Sequence, residues 1–237
     1  MTDVAMSFRD HIAELRTRLI KVFVALTVAT IVSFFFHEWI IDLLAAPYEE
    51  AVGGDPLNIF RPTEGFSLVM RVSLFGGLLI ASPVVIYQLW RFIAPALTKR
   101  ERRYVVPLSA VMAVLFVSGV ALGYWSLSRG LDFLLGFGGD AIQPTIGANF
   151  YLSFAMRFVL VFGVAFLFPV FLFAAAALGV TNSKKLKGGR RWSLTIILVT
   201  AAVVTPSGDP VTLLLLTIPL YILYEFTIIA IRLVLKK

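Results

Sequence analysis

The chain has 237 residues, 59% of them hydrophobic and only 15% charged, with a mean hydropathy of +0.90 and a net charge of +7. A soluble domain averages nearer a quarter charged, so the composition predicts an integral membrane protein. The absence of cysteine excludes disulfides, thiolate catalysis and cysteine-ligated zinc. The basic residues cluster in the breaks between apolar runs, which ties them to topology rather than to nucleic acid.

From the N-terminus, Ser7 reads as a helix N-cap with Asp10 at the third helical position, and Phe8, Ile12, Leu15 and Leu19 recur at helical spacing. The opposite face carries Arg9, Asp10, Glu14, Arg16 and Arg18. Residues 1–19 are therefore expected to form an amphipathic helix along the membrane surface, feeding a first span at about 20–36. No small-residue cleavage site follows that apolar run, so no cleavable signal peptide is expected. Trp39 and Tyr48 suit the far interface.

Residues 37–67 read as an outer loop in which Pro47, Gly53-Gly54, Pro56 and Pro62 break any long helix. A second span at about 68–90 holds Arg71 near its outer end and Pro83, which should kink it. The turn Arg91–Arg103, RFIAPALTKRERR, carries five basic residues and one carboxylate, Glu101. A third span at about 105–127 leads to an outer loop at 128–151. A fourth, at about 152–179, holds Arg157 and Pro169. A second basic turn, TNSKKLKGGRR, occupies 181–191. Two short spans close the chain, at about 192–205 and 211–231. The apolar runs Trp192–Thr205 and Val211–Tyr224 are each about 21 Å as helix, against a hydrocarbon core of about 30 Å. The fold expected is all-α: a single membrane domain over 1–237 with six transmembrane helices, the last two short, arranged as a concave wall.

Four basic residues lie in the N-terminal segment, five in the first basic turn, five in the second and three in the tail. Only Arg61, Arg71, Arg129 and Arg157 lie on or near the other side. The positive-inside rule then places both termini in the cytoplasm of a cell inner membrane protein.

Catalytic patterns are nearly absent. His11 and His37 fall on opposite sides of the membrane, and no HExxH, GxSxG or Walker-type loop occurs. Neither an enzyme nor a cofactor or metal site is expected. The candidate site is Glu14 with Glu101, two carboxylates set among arginines on the cytoplasmic surface. Glu101 also fits a capping box, Thr98-Lys99-Arg100-Glu101, and Glu14 also fits an i,i+4 pair with Arg18. The alternative for both is that they receive guanidinium groups from a partner, since that pairing is geometrically specific. Arg71 and Arg157 read either as snorkelling anchors or as functional intramembrane charges, and Glu225 as a marker of the inner interface. A small ion or solute transporter using Arg71 and Arg157 is the competing class. It would need polar residues recurring along several spans, which are instead mostly Leu, Val, Phe and Ala. A structural scaffold is the third reading.

Four segments, SFRDHIAELRTRL (7–19), PVVIYQLWRFIAPALTKRERR (83–103), YLSFAMRFVLVFGVAF (151–166) and TPSGDP (205–210), together resemble the TatC family, the receptor of the twin-arginine protein translocase. The resemblance spans nearly the whole chain. It implies a subunit, homo-oligomeric within its complex, that works beside TatA- and TatB-like single-span partners in membrane lipid. Such a subunit recognises paired-arginine signal peptides of folded proteins for export driven by the proton-motive force. By the same resemblance, Glu14 and Glu101 match the arginine-binding glutamates, and Arg16, Phe92 and Arg103 match neighbours in that surface. Pro47, Pro83, Tyr124, Asp209 and Glu225 occupy positions that the family uses for structure or partner binding. The chain departs from the family at Leu167, where a membrane-embedded glutamate is usual, and at Leu213, where a glutamine is usual. Leu167 is then expected to line a drier surface on which partner helices dock by shape, so that Leu167→Ala should have only a mild effect on export.

Overall fold

The computed structural model describes residues 8–54, 56–93, 105–136, 146–205 and 208–235. Those residues form nine α-helices: α1 Phe8–Phe35, α2 His37–Ala51, α3 Glu64–Ile93, α4 Val105–Gly136, α5 Ala148–Ala165, α6 Phe168–Ala177, α7 Ser183–Gly188, α8 Arg190–Val204 and α9 Pro210–Ala230. The last runs on into a π-helical turn, Ile231–Leu235. Among the described residues there is no strand, and the only bridge joins Asn58 to Gly147.

Among the described residues, five segments are long and apolar enough to cross a bilayer: Ile12–Phe35, Glu64–Phe92, Val106–Gly136, Ala148–Ala177 and Pro210–Leu235. Large apolar side chains cover the outsides of these segments and of α8, with Phe23, Phe35, Phe66, Trp192 and Val203 each at least 70% exposed. In water each would forgo about 25 cal/mol per Å² of buried apolar area, a loss that lipid removes. The protein is an all-α, multi-pass membrane protein. The fifth expected span corresponds to α8, whose 15 residues reach about 22 Å.

The chain divides into two compact units, Met1–His37 with Val69–Ala113 and Glu38–Leu68 with Val114–Lys237. In the first, α1 is one uninterrupted helix of 28 residues, about 42 Å. The segment expected to lie separately on the membrane surface is thus the first turns of the spanning helix. No Gly or Pro interrupts 8–35, so nothing relieves the backbone hydrogen bonding at the expected junction. Helices α1 and α3 close on each other at Gly77, where an added Cβ would lie 2.7 Å from Thr30 Cα. Ser7 lies outside the described residues.

The second unit departs from expectation in four places. Residues 37–51 form a helix with Pro47 inside it, not an irregular loop, and Tyr48 is buried against Tyr151 at 5.1 Å between rings rather than set in an interface. Helix α4 continues through 128–136, because Leu127 and Leu131 stay buried and Gly130 abuts the Thr212 methyl group. The fourth span is two helices, α5 and α6, broken at Phe166–Leu167 ahead of Pro169. The last span is not short: α9 covers the expected 211–231 almost fully with 21 residues, and carries Glu225 within it as one half of an ion pair.

At the core of this unit α4 lies tightly against α5. A Cβ at Gly119 would meet the Phe162 carbonyl oxygen at 2.6 Å, and one at Gly123 would meet Phe162 Cβ at 2.8 Å. The spacing is the small-xxx-small pattern that lets membrane helices approach closely.

Candidate functional site

The two carboxylates that frame the sequence-derived site fare differently. Glu14 sits in the second turn of α1, and its side chain is 19% exposed. It accepts from Arg18 Nε at 3.1 Å and also pairs with Arg18 Nη2, the helical i,i+4 geometry anticipated from spacing. Arg18 turns its Nη1 to Gln88 Oε1 at 3.4 Å, tying α1 to α3. One carboxylate oxygen, Glu14 Oε2, is buried with no hydrogen-bond partner among the described residues, and so is the indole nitrogen of Trp90. A buried acceptor left unmade costs about 1–3 kcal/mol, so this end of the first unit favours an incoming donor. Arg16 is exposed, and Phe92 is half-buried in the last turn of α3. Beside it Arg91 Nη1 donates to the Tyr87 hydroxyl at 3.3 Å and lies over its ring. Glu101 and Arg103 lie outside the described residues, as does the proposed capping box.

The remaining positions fall into local hydrogen-bonded clusters. Pro83 lies in α3, exposed, and removes the donor that would have met the Leu79 carbonyl; the Ser82 hydroxyl donates to that oxygen at 2.7 Å. Pro47 in α2 withholds a donor from the Leu43 carbonyl in the same way, and the Tyr124 hydroxyl donates to it at 2.9 Å. Tyr151, one helix on, donates to the Leu44 carbonyl at 2.8 Å. Asp209 caps α9, accepting from the Thr212 amide at 2.8 Å and pairing with the Thr212 hydroxyl, with Pro210 at the first helical position.

Glu225 accepts from Arg190 Nη2 at 2.7 Å. That hydrogen bond, and the charge behind it, raise the Arg190 guanidinium above even its ordinary pKa. Next to it Tyr224 is buried, donating to the Leu186 carbonyl at 2.7 Å and accepting from Ser193 Oγ at 2.9 Å. Leu167 occupies the break between α5 and α6 and is only 8% exposed. Sequence reasoning passed over Tyr151, Tyr224 and Thr212. Only Thr212 had a local signal, as the third residue of an Asp-Pro helix start.

Comparison with known proteins places this arrangement. A family model described as Sec-independent protein translocase protein (TatC) matches residues 10–219. Curated relatives bearing that name include one from Desulforapulum autotrophicum, 37% identical over 232 residues, covering 97% of this chain and 86% of its own. One from Frankia casuarinae is 36% identical over 239 residues, which cover 96% of this chain and 66% of that longer one. One from Aquifex aeolicus is 34% identical, covering 98% and 97%. A crystal structure of a twin-arginine translocase receptor, TatC, superposes with a TM-score of 0.77 at 35% identity, covering 94% of this chain and 98% of that one. A second, in the detergent DDM, gives 0.80 at 34%, covering 93% and 99%. A family match of this extent, carried on the same all-helical frame, makes the chain a member of the TatC family of Sec-independent protein translocase proteins.

Proposed function

We propose that this chain is the receptor subunit of a twin-arginine translocation complex. It binds the paired arginines of signal peptides on folded proteins, for export driven by the proton-motive force. The observation that carries this reading is the buried, unfilled Oε2 of Glu14, whose carboxylate is held near the start of α1 by Arg18, itself bonded to Gln88. A guanidinium supplies the donor that this oxygen lacks, and its fork geometry selects arginine over lysine. By the family resemblance, Glu101, Arg16, Phe92 and Arg103 take part in the same recognition. The site faces the cytoplasm of a cell inner membrane, with both termini on that side and α8 as a sixth crossing. TatA- and TatB-like single-span subunits assemble beside it, and several copies of the chain share one complex.

The test is binding of a peptide containing Arg-Arg, beside its Lys-Lys version, to the purified full chain. Truncating one side of a desolvated charge pair costs about 2–5 kcal/mol, so Glu14→Lys and Glu101→Lys should each weaken the Arg-Arg peptide by tenfold or more. Unchanged binding in both variants would place the peptide elsewhere.

A further inference from the structure

Between α5–α6, α8 and α9 lies a recess of about 460 Å³, walled by Leu160, Val164, Phe168, Phe171, Val204 and Leu216 among others. Its walls are apolar save for Thr200. Val164, Phe171 and Val204 are well exposed, so the recess opens outward. Arg157 stands one turn before Leu160 and Val161. At 100° per residue it lies within about 60° of Leu160, Val161 and Val164, on the same stripe of α5. It is exposed and has no ion pair or hydrogen bond to a described residue. From Phe158 to Leu178 the chain carries no charge, a run of roughly 31 Å as helix, which fills a hydrocarbon core of about 30 Å. Arg157 is thereby set at the edge of the hydrocarbon, where phosphates lie, directly at the end of an apolar recess leading inward.

We infer that this recess is a phospholipid site, in which Arg157 pairs with the lipid phosphate and one acyl chain lies along α5 and α6 between them and α8. The recess runs about 16 Å along the helix from Leu160 to Phe171, and its lining offers an acyl chain apolar contact over that length. The phosphate supplies the acceptor that an unpaired arginine in this position lacks, through paired N–H donors. The low number of polar groups in the walls excludes water and polar solutes from the chain's path.

The inference is tested with the purified full chain in phospholipid-free detergent, titrated with diazirine-tailed phosphatidylglycerol and followed by native mass spectrometry, then illuminated and mapped by peptide. One saturable adduct is expected, with labels around Val164–Phe168 and Thr200–Val204. Diacylglycerol with the same tail should bind at least tenfold more weakly. Arg157→Leu should bring phosphatidylglycerol down to the diacylglycerol level, and Arg157→Lys should retain most of the difference. Val164→Trp should block the adduct with Arg157 intact. Equal binding of the two lipids, indifference to Arg157→Leu, or labels spread evenly onto surfaces such as Phe23 would overturn the site. So would a co-purifying protein helix that crosslinks to position 164 and is not displaced by the lipid.

Discussion

Tyr124 supplies the hydrogen bond that Pro47 cannot. Its hydroxyl reaches the Leu43 carbonyl at 2.9 Å, four residues before the proline, where a helical N–H would otherwise stand. Within the second unit, α2 and α4 are thereby coupled through a backbone vacancy, and the two residues work as a pair. Tyr124→Phe should cost about 0.5–1.5 kcal/mol, the net worth of a hydrogen bond at this exposed site. In a Pro47→Ala background the restored amide meets Leu43, so the same Tyr124→Phe change should cost clearly less. Thermal unfolding of the four proteins of the double-mutant cycle checks this, and additive costs would refute the pairing.

The close approach of α4 to α5 makes a second claim. Gly119→Val forces a side chain onto the Phe162 carbonyl, where 2.6 Å already leaves no room for a Cβ. Overpacking of this kind costs about 1–3 kcal/mol. Gly136→Ala, with nothing within 4 Å of the new carbon, should be nearly neutral in the same unfolding assay.

At the other end of the second unit, the buried hydroxyl and the exposed ion pair should behave oppositely. Tyr224→Phe strands the Leu186 carbonyl and the Ser193 hydroxyl, and should lower stability by about 1–3 kcal/mol. Glu225→Gln removes a pair whose arginine is largely in solvent, and should shift the melting temperature little. A larger loss from Glu225→Gln than from Tyr224→Phe would reverse this ranking.

Leu167 is expected to matter through packing. It is 8% exposed at the α5–α6 break, and does not belong to the walls of the adjoining recess. Leu167→Ala should cost about 2–5 kcal/mol by leaving a cavity. Thermal unfolding of the purified chain measures this cost, separately from the mild effect of Leu167→Ala expected on export. Leu167→Met, nearly equal in volume, should lose less than about 1.5 kcal/mol.

Residue order alone determined which segments are apolar enough to leave water, where the basic turns fall, and that Glu14 pairs with Arg18. Each of these depends on neighbours within one or two helical turns, so the linear pattern carries them. Helix ends were the poorer part. Polar residues and prolines at 37–51, 128–136 and 225 look like breaks in one dimension. In three dimensions Tyr124 fills the acceptor that Pro47 exposes, Thr212 packs on Gly130, and Arg190 neutralises Glu225. A hydrogen bond or ion pair between residues 35 or 81 positions apart has no local signature. The same holds for the unfilled oxygen of Glu14 and the alignment of Arg157 with an apolar recess: burial and facing are properties of packed helices, decided only when the chain has folded.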